Sequence, residues 1–388
     1  MLRRKVPFIT SKPPLITITT TIRQKSSGGK RPKKKIYHRV PELDRVMELR
    51  KKPTTILELK TLIQSQPKSN PLFLRDLEKN VGFVRKWDFM ALIEKHPTIF
   101  RVTGSPPFVH FTDKAHRVAQ QEARARDFME LLLVNNLRKM LMLCVDNRIP
   151  LETVEFVGPE MGLPWDFKGC LIDKYPQFFS VRAFNGRDFL YLEDWDSTLA
   201  VTAREARLAQ EGIVVNMKPN MDKKVKISKD GNYAGPFAFK VNFPAGFRPN
   251  VNFLQQFERW QKLEFPSPYL NARRFDTADP KTRKRALGVI HELLSLTMER
   301  RMTSAQLDAF HAECFLPSQL LLCLIKHHGI FYLTNKGVRS TVFLKDGYVG
   351  SNLIDKCPLL QFNDKFVALC GRGNVDLSDI KSSLQAVV

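Results

Sequence analysis

The sequence has few cysteines, and none of them lies in a pattern that binds metal. Its six cysteines are scattered, and no two of them form a CxxC pair or meet a histidine in a CxxH pair. Structural zinc sites take their ligands from such pairs, and disulfide scaffolds need a denser set of cysteines. The sequence therefore predicts no metal site and no disulfide framework, and it favours a reducing compartment.

Long apolar runs and the common catalytic motifs are also missing. The longest obvious apolar run, Leu320–Ile325, is far shorter than the roughly 20 residues of a membrane-spanning helix. The motifs GxxxxGK(S/T), HExxH and GxSxG do not occur, so no phosphate-binding loop, zinc protease site or nucleophile elbow is indicated. We therefore predict a protein that does not insert into a membrane, uses no cofactor and is not an enzyme.

Acidic residues are absent from the first 41 residues, which contain twelve lysines and arginines. The segment Met1–Gly29 is also rich in serine and threonine, a composition typical of an organellar transit peptide. The prediction is a transit peptide over residues 1–30. The basic residues Arg3, Arg4 and Lys5 favour a mitochondrial address over a chloroplast address. The alternative is a basic tail of a nuclear or cytosolic protein.

The net charge remains positive without this leader. The whole chain carries a formal charge of +23, of which the leader accounts for about half. Such an excess predicts attraction to polyanions, with nucleic acid ahead of anionic membrane. With 43% hydrophobic residues and 28 phenylalanines, the chain also has enough apolar side chains to fold around a core.

One stretch of the sequence recurs three times. Leu92–Phe100 (LIEKHPTIF) matches Leu171–Phe179 (LIDKYPQFF), and Trp-Asp-Phe precedes each copy, at Trp87–Phe89 and Trp165–Phe167. A weaker third copy, Leu324–Tyr332 (LIKHHGIFY), has glycine where the others have proline. A repeat of this kind indicates an architecture built from similar units.

Each copy has the pattern of a helix that ends at proline or glycine and is followed by two short strands with a turn between them. The predicted fold is mainly α with small β-hairpins (α+β), in which repeated winged-helix-like helical units are joined by long helices. One such helix is predicted at about Asp113–Asp146. The predicted segments are a transit peptide (1–30), a folded RNA-binding region (31–370) with units near 55–113, 147–196 and 303–350 and an irregular basic insertion (216–250), and a C-terminal tail (371–388).

Four basic stretches outside the leader are candidates for contact with RNA. RNA binding needs cations that neutralise phosphates and flat groups that stack on unpaired bases. The candidate residues are Arg85, Lys86, Arg117, Arg124, Arg126, Lys223, Lys224, Lys226, Lys240, Lys281, Arg283, Lys284 and Arg285.

The last four of these cations are the most unusual. They fall in the first turns of a predicted helix that begins after Asp279, where the helix macrodipole disfavours positive charge. Cations in that position indicate a bound anion, with a solvated basic surface as the alternative. Trp87 and Trp165 each precede an apolar helix and are predicted to be core residues rather than stacking groups.

Several stretches together resemble the plant organelle RNA recognition family, also called the What's-this-factor family, from about Lys35 to about Cys370. These stretches are RVM (Arg45–Met47) with KKP (Lys51–Pro53), FVRKW (Phe83–Trp87), EKHPTIF (Glu94–Phe100), PWDF (Pro164–Phe167), FPSPY (Phe265–Tyr269) and RALGVIHELLSL (Arg285–Leu296). The resemblance implies a plant organelle RNA-binding protein that promotes splicing of group II introns together with other splicing factors. It supplies no catalytic residues, because the intron itself is the ribozyme.

The leading hypothesis is therefore a mitochondrial splicing factor that binds and stabilises group II intron RNA. One alternative is a mitochondrial ribosome-associated protein that contacts ribosomal RNA. A second is a thiol hydrolase that uses Cys323 and His327, and a third is a winged-helix protein that binds duplex DNA. The chloroplast is the alternative address.

Overall fold

The computed structural model of the protein describes residues 39–66, 71–210, 250–263, 265–276 and 279–371. The helices in these ranges are α1 (Pro41–Ser65), α2 (Leu77–Val81), α3 (Phe83–Lys95), α4 (Asp113–Ala119), α5 (Gln121–Leu143), α6 (Leu151–Met161), α7 (Ala203–Gln210), α8 (Val251–Lys262), α9 (Pro280–Leu296), α10 (Ser304–Asp308), α11 (Leu320–Lys326) and α12 (Pro358–Ala368). The strands are β1 (Leu72–Phe73), β2 (Phe100–Thr103), β3 (Phe108–Phe111), β4 (Arg148–Pro150), β5 (Phe179–Phe184), β6 (Arg187–Leu192), β7 (Arg301–Thr303), β8 (Phe331–Thr334), β9 (Thr341–Leu344), β10 (Tyr348–Val349) and β11 (Asn352–Leu353).

The same arrangement of elements occurs three times. A long helix (α1, α5 or α9) is followed by a short strand, by further helical turns and by a β-hairpin. The short strand pairs with the second hairpin strand in every case, which gives the sheet orders β1-β3-β2, β4-β6-β5 and β7-β9-β8. One buried pair lies at the centre of each sheet: Leu72 with Val109, Ile149 with Leu190, and Met302 with Val342. This confirms the predicted fold class, a mainly α protein with repeated winged-helix-like units.

Local sequence signals account for the ends of several helices. The Thr112 side chain caps α4, and Thr303 forms a capping box with Gln306 at the start of α10. Asp279 caps α9, whose first residue is Pro280. These residues satisfy backbone N–H groups that have no partner within the helix.

The predicted hairpins are present, whereas the short strands were not predicted. Asn185 and Gly186 form the turn of the second hairpin with φ angles of 51° and 75°, as a two-residue turn between twisted strands requires. The strands β1, β4 and β7 have only two or three residues, too few to show alternation of apolar and polar positions. The predicted helix at Asp113–Asp146 is instead two helices, α4 and α5, with a turn at Gln120 between them.

Helix α9 lies in the core, and α5 is buried mainly in its second half. Every residue of α9 from Lys284 to Leu296 is buried, so this helix packs on all its faces. Helix α12 packs against α5 and α1. None of the helices in the described ranges is long and apolar enough to span a bilayer.

Helix α1 connects the first unit to the third. Leu43 and Val46 pack with Tyr332 and Phe343 of the third sheet. The buried Asp44 carboxylate accepts hydrogen bonds from the Tyr332 hydroxyl at 2.9 Å and from the Thr334 hydroxyl at 2.6 Å. The start of α1 thus covers one face of the third sheet.

Candidate nucleic-acid interface

The cationic patch predicted at the start of α9 is divided between solvent and core. Arg283 is exposed, and Lys281 is half-buried with its backbone N–H 2.8 Å from Asp279 Oδ1. Lys284 and Arg285 are buried. Only Lys281 and Arg283 of the four side chains are therefore placed to meet a phosphate from solvent.

Lys284 binds backbone carbonyls instead of RNA. Its Nζ atom donates to the carbonyl oxygens of Trp260 at 3.1 Å and Leu263 at 2.5 Å, at the end of α8. Burial lowers the pKa of Lys284 to about 8, since the interior disfavours the charged amine. We therefore remove Lys284 from the predicted interface.

Arg285 is likewise occupied inside the fold. Its guanidinium group donates to the carbonyl oxygens of Pro268 (3.0 Å), Leu270 (3.0 Å) and Cys314 (3.2 Å). Burial lowers the pKa of this arginine. Its cation joins α9 to two loops, so we remove Arg285 from the predicted interface as well.

The candidates on α4 and α5 are exposed, but their partners differ. Arg117 donates from Nε to the carbonyl oxygen of Asp113 at 3.4 Å. Arg126 forms an ion pair with Glu122 at 2.9 Å. Arg124 makes no hydrogen bond or ion pair with any part of the chain that the structure describes, which leaves its charge available to a ligand.

Arg85 and Lys86 lie in the first turn of α3 and are both ion-paired. Arg85 contacts Glu58 of α1 and lies 3.4 Å from Asp88. Lys86 Nζ is 3.1 Å from Glu78. Exposed pairs of this kind contribute little to stability, so they can be exchanged for contacts with phosphate.

Arg85 and Arg126 line one open cavity although they are distant in sequence. The cavity has a volume of about 900 Å³, and its walls include the buried side chains of Phe89, Leu163 and Phe167. Trp165 also lines it. The structure therefore places two predicted cations and an aromatic ring around one apolar space, which we call the cleft.

The prediction that Trp87 and Trp165 are core residues is wrong. Trp165 is 92% exposed and Trp87 is 58% exposed. In both Trp-Asp-Phe copies it is the phenylalanine, Phe89 or Phe167, that enters the core. The repeat thus preserves a buried phenylalanine and leaves the tryptophan free to contact a ligand.

A second cavity of about 580 Å³ adjoins the cleft at Arg85. It is lined by Lys51, Lys52, Thr55, Arg85, Asp88 and Leu92, and we call it the cationic pocket. Lys51 and Lys52 were not among the predicted residues. The Lys-Lys-Pro sequence on α1 was a signal that could have indicated them, since adjacent cations on a helix suggest an anion contact.

The outer face of the second sheet carries further residues that the sequence prediction missed. Arg182 lies opposite Phe189 and Arg148 lies opposite Tyr191, so these side chains share the face away from the core. The Arg148 guanidinium carbon lies 4.4 Å from the Phe184 ring centroid and 5.3 Å from that of Phe189. The alternation of cations and aromatics along β5 and β6 was the available signal. Guanidinium planes and rings of this kind stack on unpaired bases.

The equivalent face of the third sheet is covered by the protein itself. Arg301 lies opposite Phe343, at the positions of Arg148 and Tyr191 in the second sheet. Helix α1 packs on that face through Leu43 and its neighbours. This face of the second sheet is therefore open, whereas α1 covers the equivalent face of the third sheet.

The alternative thiol site lacks the geometry of an activated nucleophile. His327 Nδ1 lies 2.7 Å from the backbone carbonyl oxygen of Cys323. Burial raises the pKa of the Cys323 thiol, whereas a nucleophilic cysteine needs a lowered value. In the described ranges, no group of three or more His, Cys, Asp or Glu side chains is arranged to hold a metal ion.

Several predicted segments lie outside the described residues. They are the transit peptide (1–30), most of the insertion (216–250) with Lys223, Lys224, Lys226 and Lys240, and all but the first residue of the tail (371–388). Their predicted roles stay predictions.

Comparison with known proteins identifies related chains. A family model for the plant organelle RNA recognition domain matches residues 38–375. The chain is 32% identical over 335 residues to Protein WHAT'S THIS FACTOR 1 homolog, chloroplastic, of Arabidopsis thaliana, which covers 84% of this chain and 61% of that protein. It is 31% identical to Protein ROOT PRIMORDIUM DEFECTIVE 1 of the same species, over 84% of this chain and 80% of that protein. Protein WHAT'S THIS FACTOR 9, mitochondrial, also from Arabidopsis thaliana, is 23% identical over 85% of this chain and 82% of its own length.

The chain spans less than two thirds of the length of the three chloroplastic relatives, from Arabidopsis thaliana, Oryza sativa and Zea mays. No solved structure matches the chain.

Proposed function

Because this chain belongs to the plant organelle RNA recognition family, we propose that it binds organellar intron RNA and promotes the splicing of group II introns. In this proposal the protein is a scaffold that neutralises phosphates and holds unpaired segments, while the intron performs the chemistry. No side chain of the protein makes or breaks a covalent bond. Other splicing factors join the complex.

The observation that carries this proposal is the cleft, which Arg85, Arg126 and the exposed ring of Trp165 line together. Cations and exposed aromatic rings are the two kinds of group that bind single-stranded RNA. Trp165 buries almost none of its surface in the protein, so its position is not explained by packing. Contact with a ligand explains it.

The mitochondrion is the proposed address. Its support is the basic start of the chain, at Arg3, Arg4 and Lys5. The printed names of the relatives include both chloroplastic and mitochondrial proteins. Isolated mitochondria and chloroplasts are therefore both included in the test.

The test is to sequence the RNA that co-purifies with the full-length tagged protein from each organelle. We expect enrichment of a few intron-containing transcripts over ribosomal RNA, from mitochondria rather than chloroplasts. Enrichment of ribosomal RNA instead would favour the ribosome-associated alternative. If no organellar transcript is enriched, the proposed function is incorrect.

Reversing the charge of the two outward cations of α9 tests the predicted patch. We expect the double variant Lys281→Glu with Arg283→Glu to bind intron RNA at least about tenfold more weakly at low salt. The dependence of affinity on salt should also fall, since the contact releases fewer counterions. Filter binding at several salt concentrations measures both quantities.

A matched control changes the net charge by the same amount elsewhere. Lys336, in the third unit, forms an exposed ion pair with Glu48. Lys356, which follows that unit, forms an exposed ion pair with Asp364. The variant Lys336→Glu with Lys356→Glu should bind RNA more tightly than the α9 variant. Equal losses for the two variants would mean that overall charge matters and that the patch has no special role.

A further inference from the structure

The cleft and the cationic pocket are adjacent, since Arg85 lines both, and we call the two together the groove. The cleft lies between the first two units, with walls from α1, α3 and the segment after α6. The cationic pocket lies on the other side of Arg85, along α1 and α3. A ligand in this groove would thus meet an apolar space at one end and positive charge at the other.

The apolar end has the properties of a site for a flat aromatic group. Its walls are mostly carbon, and they include Phe89 and Phe167. The indole ring of Trp165 is almost wholly accessible and offers a stacking surface. The carboxylates of Glu58 and Glu155 also line the cavity, and they can accept hydrogen bonds from amino groups on the edge of a base.

The other end is suited to a phosphate. Lys51, Lys52 and Arg85 line it together with Asp88, and because Arg85 is paired with Glu58 and Asp88, the positive charge left for a phosphate is that of Lys51 and Lys52. Lys51 and Lys52 are exposed, and neither forms an ion pair with any described residue. This local excess of positive charge favours a nucleic-acid strand over an apolar segment of protein.

We propose that the groove binds single-stranded RNA, with one unpaired base stacked on Trp165 in the cleft and a phosphate of the same strand bound by Lys51 and Lys52. The inference rests on the proposed function, since it assumes that RNA is the ligand. It adds the form of the RNA and the residues that hold it. A paired base in a duplex has no access to the ring, because both its faces are covered by neighbouring bases.

The test compares two forms of one RNA on the full-length protein. The probes are a mixed-sequence single-stranded oligoribonucleotide of about twelve nucleotides and the same strand in a duplex. We expect Trp165→Ala to weaken binding of the single strand by roughly 5- to 150-fold, the usual range for loss of one stacked base. Duplex binding should change by less than about twofold. Trp165→Phe keeps a stacking ring and should retain most of the single-strand affinity.

The phosphate end is tested by charge reversal. Lys51→Glu with Lys52→Glu should weaken single-strand binding and reduce the slope of log affinity against log salt by about one, as expected for loss of one or two phosphate contacts. Trp195→Ala is the control for loss of an exposed tryptophan, because Trp195 is 43% exposed and lines neither cavity. It should bind both probes as the unmodified protein does.

Each outcome separates this inference from the proposed function. If the unmodified protein binds single-stranded RNA and Trp165→Ala binds it equally well, the inference is overturned, the proposed function stands, and the cleft is available to a protein partner. An equal loss of duplex binding overturns the inference in the same way. If the unmodified protein binds neither the oligonucleotide nor intron RNA, both proposals fail.

Discussion

Replacing Arg285 with alanine is expected to lower the free energy of unfolding by about 3 kcal/mol or more. The buried guanidinium group satisfies three backbone carbonyl oxygens, on Pro268, Leu270 and Cys314. Each buried acceptor that loses its partner costs about 1–3 kcal/mol, partly offset because a cation no longer has to be desolvated. Urea unfolding followed by circular dichroism measures the change.

The neighbouring Arg283 provides the matched control. It is exposed on the same helix, two residues away, and Arg283→Ala should change the free energy of unfolding by no more than about 0.5 kcal/mol. The two variants should also differ in RNA binding, since only Arg283 can reach a phosphate from solvent. If Arg285→Ala is as stable as Arg283→Ala, the carbonyl contacts of Arg285 do not hold the fold.

The contrast between Arg283 and Arg285 shows why the sequence predicted the helix but not the patch. Asp279-Pro280 and the apolar residues after it correctly indicated the start of α9. Cations on a helix indicate a solvent-facing side only when the opposite face alone is buried. Helix α9 is buried on all faces from Lys284 onward, and only the packing of α8 and the following loops around it reveals this.

Trp165 illustrates a second limit of sequence reasoning. The repeat correctly indicated similar units, and its proline or glycine correctly ended the helix of each copy. An aromatic residue beside an apolar helix is usually buried, and Phe167 follows that rule. The direction of the Trp165 side chain depends on the turn after α6. Trp165 and Phe167 are two residues apart, and nothing in the sequence shows which of their two rings is buried.

The ion pair between Lys60 and Glu122 could not be predicted from the sequence for a related reason. Lys60 on α1 and Glu122 on α5 are 62 residues apart in sequence, yet their charged atoms lie 2.5 Å apart and both side chains are buried. Nothing local distinguishes them from exposed residues of the same types. Their pairing depends on how the first helices of two units pack together, which is a property of the assembled fold.

Replacing Glu122 with glutamine is expected to lower the free energy of unfolding by about 3–5 kcal/mol, because it leaves the buried Lys60 ammonium without a counter-charge. Burial alone would raise the pKa of Glu122, but Lys60 and Arg126 lower it below its usual range. The stabilisation from this carboxylate is therefore present above the ordinary pKa of glutamate and is lost as the pH falls through the lowered value. Urea unfolding of both proteins at neutral pH and at acidic pH measures this contribution.

A double variant separates the charge pair from the packing around it. Lys60 Nζ also lies 4.9 Å from the centroid of the Phe362 ring. The Glu122 carboxylate accepts further hydrogen bonds from Gln64 at 3.1 Å and Arg126 at 2.9 Å. Lys60→Met combined with Glu122→Leu should be closer in stability to the unmodified protein than Glu122→Gln is, since neither variant side chain carries a charge to be buried. Arg126, which is partly exposed, can turn to solvent when its partner is lost. If the double variant is instead the least stable, packing rather than charge pairing joins α1 to α5.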